Sequence, residues 1–320
     1  MNVPPNSLAG QSASFPRQLA ERDCRIGRMQ RYPPFPSHDK RRIFFTILCD
    51  TEMNLYRNMN RAALDAAYNN SAAVPDSAEI IASWQDRSKR LRSLHPAHLD
   101  LRYGEAERNR IDYFDAGAGT PLLVFIHGGY WQMREKETFS FLAAGPLAHG
   151  LSVALVGYTL APEKRLSGMV EEIATALDFL APKSNALYVS GWSAGGHLAA
   201  MAMAHPAVKG GIAISGIYDL EPIRLCYVND KLGLDDDEAR RHSPIALAAP
   251  DKPLLLAYGG NERPELQRQS ETYFHALQSQ QKGRYTLHRL DGHNHFSILE
   301  DLASPDGALI HGARRLMDTY

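Results

Sequence analysis

Between residues 121 and 290, continuous apolar runs alternate with segments of helical period, and this alternation limits the fold more than any other feature of the chain. The run "PLLVFIHGG" (121–129) is apolar without a polar face, as expected for a strand buried on both sides. Further strands are predicted in "LSVALVGYTLAP", "NALYVSG", "GGIAISGIYDL", "KPLLLAYGG" and "RYTLHRL". Between them lie helical patterns: "KETFSFLAAGPLAHG", with a break at Pro146, then "GMVEEIATALDFLAP", "AGGHLAAMAMAH" and "RPELQRQSETYFHALQSQ". A last helical segment closes the chain. Strands alternating with helices predict an α/β fold with a mostly parallel central sheet and helices on both faces. Such sheets carry their sites beyond the carboxyl ends of the strands.

Upstream, "NMNRAALDAAYNN" and "SAEIIASWQDRSKRLRSL" read as helices, the second with Ile80, Ile81, Trp84, Leu91 and Leu94 at roughly helical spacing. "LDLRYG" and "NRIDYFDAG" read as a hairpin. Residues 1–52 hold many Arg, Pro and Ser and no sustained apolar period, so they are read as a disordered or dispensable extension. Residues 53–320 are then one domain, with 221–250 as a lid or pocket wall, and "DDDEARR" (235–241) as a solvated helix start. The basic and apolar run "KRRIFFTILCD" (40–50) lies too far into the chain, and without a small-residue cleavage site, to be a secretory signal.

A formal net charge of -1 gives no basic surface for nucleic acid or an anionic membrane, and no run is apolar enough to span one. The three cysteines, Cys24, Cys49 and Cys226, lack metal-ligand or disulfide-framework spacing. The expectation is a cytoplasmic protein with no cofactor or metal. Its partner would be a small molecule, with a homodimer left open.

Chemistry enters with "VSGWSAGGHLAA" (189–200). Ser193 stands between a strand and a helix, with Gly191 and Gly195 two residues away on either side. That is the context of a G-x-S-x-G nucleophile elbow, in which a strained turn exposes the hydroxyl above the sheet. The helix that follows directs its first N–H groups and its dipole at the serine, favouring negative charge there. Glycines in "FIHGGYW" (125–131) let backbone approach a ligand closely. A serine also needs a base, and something to orient that base. "LDGHNHFSILED" supplies His293 and His295 in the loop after the last strand. Glu262 follows the preceding strand. Glu265 reads as first-turn helix, and Asp291 is an alternative acid.

Together these segments resemble the α/β-hydrolase superfamily, on the branch of kynurenine formamidases (arylformamidases) and related esterases. "HGGYW" is similar to that family's HGGxW motif, and "GWSAGG" to its elbow; "NERPELQRQS" and "NHFSILE" resemble its acid and histidine segments. The resemblance covers roughly residues 54–320. It implies an α/β-hydrolase fold and Ser193 as nucleophile. It implies Glu262 as the acid, in a position often held by Asp, and His295 rather than His293 as base. It further implies the Gly129, Tyr130 and Ala194 amides as an oxyanion hole. His127 is read as structural.

Trp131, Tyr130 and Trp192 flank the reactive atoms in sequence. At least one of these three rings is expected to serve the core, while together they would narrow the acyl side and offer a stacking surface for an aromatic leaving group. Trp131, Trp192 and Tyr218, the last at the base of the 221–250 stretch, are read as substrate-binding. The expected reaction is acyl transfer from a formamide of the N-formylkynurenine type to serine. A general short-chain carboxylesterase is the alternative. A non-catalytic binding protein on the same scaffold is the alternative of another class, against which every part of the machinery is present.

Overall fold

The structure, a computed structural model, describes residues 53–318. Eight strands form one sheet. They are β1 (Leu101–Arg102), β2 (Arg110–Phe114), β3 (Leu122–Ile126), β4 (Ser152–Val156), β5 (Leu187–Trp192), β6 (Val208–Ile214), β7 (Leu254–Gly259) and β8 (Tyr285–Leu290). Their order across the sheet is β1-β2-β4-β3-β5-β6-β7-β8. β2 runs antiparallel to both β1 and β4, with Leu101 opposite Ile111, which is the expected hairpin. Every pairing from β4 to β8 is parallel. The result is the mostly parallel α/β sheet that the alternation predicts, and it agrees with the α/β-hydrolase fold that the resemblance implies.

Burial on both faces explains the apolar runs. Along β3, Leu122, Val124 and Ile126 point into one core and Leu123 and Phe125 into the other, following the period of two of a strand. The first core is closed by Leu166, Ile173 and Leu177 of the Leu166–Leu180 helix and by Leu266 and Tyr273 of the Pro264–Gln280 helix. The second is closed by Trp84 of the Ser77–Leu94 helix and by Leu309 and Ile310 of the Ala308–Met317 helix. The chain steps from β3 outward to β4, then back past β3 to β5. The carboxyl ends of β3 and β5 therefore lie at a switch point, where connections diverge and leave a crevice.

Some local expectations change. "KETFSFLAAGPLAHG" is a 3-10 helix over Lys136–Ala143 followed by a short α-helix over Ala144–Ala148. The change of helix type precedes Pro146, which sits in the first turn, where its missing N–H costs nothing. Ser88 holds the 3-10 run: its hydroxyl donates to Thr138 O (2.9 Å) and accepts from Phe141 N (2.9 Å). Leu94, counted in the apolar stripe, is 75% exposed at the end of its helix. In the acidic run, Asp235 caps the Asp236–Arg241 helix, but Glu238 is buried and ion-paired with Arg165 rather than solvated. Residues 221–250 fold into short helices whose Ile223, Val228 and Leu232 join the core. Residues 1–52, read as a disordered or dispensable extension, lie outside the described residues. No described helix is long and apolar enough to cross a membrane.

Two fully buried histidines make stability pH-dependent. His127 Nδ1–H donates to Gly128 O (2.8 Å) and His197 Nε2–H to His242 O (2.7 Å). Burial pulls both imidazoles down to about 4. Unfolded chains protonate histidine from about pH 6.5 downward, so below that pH the unfolded form binds more protons. Stability present at neutral pH is lost as pH falls from about 6.5 to about 4, by the order of a few kcal/mol. The thermal midpoint is expected to drop between pH 7 and pH 5, and to drop less in His197→Gln. A midpoint equally sensitive in both proteins contradicts this cause.

Candidate active site

Ser193 joins the end of β5 to the Ala194–Ala202 helix at φ 58°, ψ -121°. A serine at positive φ is strained, and the surrounding packing must hold it there. The flanking glycines make that packing possible. A Cβ on Gly191 would lie 2.0 Å from Gly195 O, and one on Gly195 would lie 2.0 Å from Ile126 O. With hydrogens in their place, the turn closes on itself and on the end of β3. Ser193 N donates to Ile214 O (2.9 Å), which ties the turn to β6.

The loop after β8 brings His295 over this turn. Its Nε2 is 3.1 Å from Ser193 Oγ, and its Nδ1 is 3.0 Å from Glu262 Oε2. A nitrogen facing a carboxylate carries the proton, so Nε2 is left to accept from the serine hydroxyl. Glu262 Oε1 accepts from Ser215 Oγ (2.6 Å) and from Gly259 N (2.6 Å). The glutamate thus arrives from the turn after β7 with both oxygens engaged. Trp192 packs beside the imidazole with ring centroids 4.9 Å apart, and its Nε1 donates to His295 O (2.7 Å). Ser193 is 3% exposed, His295 4% and Glu262 6%, so little water competes for these bonds.

The other candidates stand apart from this chain of bonds. The Asp291 side chain is 83% exposed and paired with Arg289 at 2.8 Å. Glu265 lies in the first turn of the Pro264–Gln280 helix and pairs with Arg268 at 2.8 Å. His293 meets Ser297 O (3.2 Å) and lies 3.5 Å from Asp301.

The loop after β3 lies against the serine. A Cβ on Gly128 would come within 3.0 Å of Ser193 Cβ. Gly129, Tyr130 and Trp131 follow at φ 114°, 52° and 59°, a run of left-handed residues that turns the backbone sharply. Gly129 O accepts from Gln132 N and Met133 N, closing the turn. Tyr158 donates to His127 O (3.0 Å) and stacks on the His127 ring, with centroids 4.5 Å apart. His127 is therefore built into the base of the loop. Tyr130 Oη donates to Tyr68 O and accepts from Asn70 Nδ2 (3.0 Å). Ala194 is the first helical residue, and its N–H has no partner within the helix.

The three aromatic residues read as substrate-binding are buried in this structure. Trp131, Trp192 and Tyr218 are core side chains rather than open pocket walls. Trp131 meets His197 edge to face, and Tyr218 stacks on Tyr273. Trp192 is clamped by Trp84, Phe139 and Phe296. Nearness in sequence to Ser193 does not fix the direction of a ring, and burial of 150–250 Å² of aromatic surface favours the core. Ser215, which engages Glu262, and Trp84, which props Trp192, were not singled out for the site. Nothing in "AISGIY" distinguishes that serine, and Trp84 reads only as part of a helix stripe. Among the described residues no group of three or more His, Cys, Asp or Glu is placed to hold a metal ion.

Comparison with known proteins agrees with the fold. The BD-FAE family model matches residues 114–215, and the prolyl oligopeptidase family model matches residues 169–306. A kynurenine formamidase of Salmo salar is 32% identical over 281 residues, 79% of this chain and 95% of that protein. One from Danio rerio is 31% identical over 276 residues, 78% of this chain and 94% of that protein. A solved Silicibacter sp. tm1040 protein, provisionally assigned as a thioesterase, superposes with a TM-score of 0.72 at 30% identity, covering 78% of this chain and 97% of that one. An esterase from Pyrobaculum calidifontis shares the fold, with a TM-score of 0.59 at 21% identity, covering 75% of this chain and 93% of that one. The elbow, the strand order and two relatives matched over nearly their whole lengths lead to one statement: the chain belongs to the kynurenine formamidase family of α/β-hydrolases.

Proposed function

We propose that this protein is an arylformamidase that works through a formyl-enzyme on Ser193. The observation that carries the reading is the unbroken line of bonds from Ser193 Oγ through His295 to Glu262. His295 Nε2 takes the hydroxyl proton as Oγ attacks the formyl carbon. Glu262 holds the imidazole in the Nδ1–H tautomer and stabilises the imidazolium that forms. The N–H groups of Gly129, Tyr130 and Ala194 hold the oxyanion, each such donor lowering the barrier by about 3–4 kcal/mol in serine hydrolases. The C–N bond then breaks, and His295 returns the proton to the departing aromatic amine. Water, deprotonated by the same histidine, attacks the formyl ester and releases formate and free serine.

The family name of the fish relatives supports a formamide substrate. The Silicibacter structure supports a second reading, hydrolysis of short acyl esters or thioesters. The test compares kcat/KM for N-formyl-L-kynurenine with that for p-nitrophenyl acetate and butyrate. The formamide is expected to be the better substrate. A formamide rate at background beside brisk ester turnover would replace the first reading with the second.

A further inference from the structure

Several arginines outside the strands are ion-paired. Arg61 pairs with Asp65 and Asp230, Arg224 with Glu221 and Asp236, and Arg268 with Glu265. Arg165 pairs with Asp235 and Glu238. Arg263 differs. It follows Glu262 directly, is half-buried, and has no carboxylate partner among the described residues. Its Nε donates to Asn69 O (2.9 Å). That bond anchors the guanidinium by one edge and leaves its two terminal amino groups as a pair, the geometry that takes a carboxylate in a bidentate way.

Its surroundings place it on the rim of the reaction site. Asn69 and its neighbours form a strap that ties Arg263 to Tyr130 of the loop after β3. Asn70 Nδ2 donates to Tyr130 Oη, and Tyr68 O accepts from Tyr130 Oη and from Tyr227 Oη (3.4 Å). Tyr130 and Tyr227 meet edge to face with centroids 6.4 Å apart. Burial raises both phenols, and the Arg263 charge pulls both back, so the guanidinium is within electrostatic reach of the two rings. Arg263 thus lies beside the loop proposed to bind the oxyanion, near the Tyr130 ring and the exposed Tyr227 ring, with no carboxylate partner among the described residues.

We propose that Arg263 is the specificity-determining residue of this site and docks a carboxylate carried by the aromatic-amine part of the substrate. The inference rests on the formamidase reading above. An aryl formamide bearing an amino-acid side chain supplies such a group: its formyl end lies at Ser193, its ring passes Tyr130 and Tyr227, and its carboxylate meets Arg263. Arg134 is the rival cation. It is half-buried without an ion pair among the described residues, and its Cγ would lie 2.9 Å from a Cβ on Gly129. Among the described residues no hydrogen bond anchors its guanidinium, so of the two arginines Arg263 offers the fixed fork.

The experiment measures kcat and KM of the wild type, Arg263→Ala, Arg263→Lys and Arg134→Ala on N-formyl-L-kynurenine and on formanilide, which lacks the carboxylate. Arg263→Ala is expected to raise KM for N-formyl-L-kynurenine by about tenfold or more, as loss of a charge-assisted pair does, with its kcat and both formanilide constants little changed. Arg263→Lys, which keeps the charge but not the fork, is expected to fall between. The inference is overturned if Arg263→Ala changes both substrates equally, since the side chain then merely fastens the strap. It is also overturned if neither substrate responds, if Arg134→Ala produces the selective loss instead, or if the wild type turns over both formamides without preferring the charged one. These four results leave the formamidase reading standing. If the wild type cleaves p-nitrophenyl acetate but neither formamide, that reading falls first and the inference with it.

Discussion

Replacing Ser193 with alanine is expected to lower kcat by about 10⁵–10⁶-fold, the loss seen when the nucleophile of a serine hydrolase is removed. The proposed mechanism has no substitute for Oγ, since His295 and Glu262 can orient a proton acceptor but cannot form the acyl bond. The thermal midpoint is expected to change little. Ser193 Oγ makes its bond to His295, while the turn itself is held by Ser193 N on Ile214 O and by the contacts of Gly191 and Gly195. Residual turnover above water would come from the oxyanion donors and from substrate binding alone. The check is single-turnover kinetics on a formamide and an ester beside a melting curve. Turnover within tenfold of wild type on either substrate contradicts the assignment.

The second large effect concerns the carboxylate. Glu262→Gln is expected to lower kcat by about 10⁴-fold, because the amide no longer enforces the Nδ1–H tautomer or stabilises the imidazolium. Either face of the new amide fails in its own way. Turned with its NH₂ toward His295, it donates to Nδ1 and drives the ring proton onto Nε2, which then cannot accept from Ser193. Turned with oxygen toward His295, it presents an NH₂ to Gly259 N–H, which already needs an acceptor. Asp291→Asn, at an exposed position paired only with Arg289, is expected to leave kcat within about twofold. The reverse ranking would move the acid to Asp291.

Residues on regular elements were legible because burial writes a period into them. β3, β4, β5 and β7 are buried at every position, and their sequences are mostly apolar. The elbow was legible too, since Gly191 and Gly195 answer a steric demand that only glycine meets. Choosing between His293 and His295 was harder: both lie in one loop, and bare spacing does not say which ring turns inward. Only the resemblance separated them. The directions of the Trp131, Trp192 and Tyr218 rings were not legible, because ring direction depends on neighbours from distant segments such as Trp84 and Tyr273. Ser215 left no mark at all, since its role exists only where β6 and β7 place it beside Glu262.

The most direct test of the mechanism is covalent capture. A fluorophosphonate reacts with a serine only when that serine is activated by a base and its oxyanion is held. Intact-mass and peptide-level mass spectrometry of the treated protein is expected to show one adduct, on the peptide containing Ser193. The adduct should be lost in Ser193→Ala and strongly slowed in His295→Ala. A wild-type protein that takes no label, or a Ser193→Ala protein that labels at the wild-type rate, would contradict the proposal that Ser193 is the nucleophile.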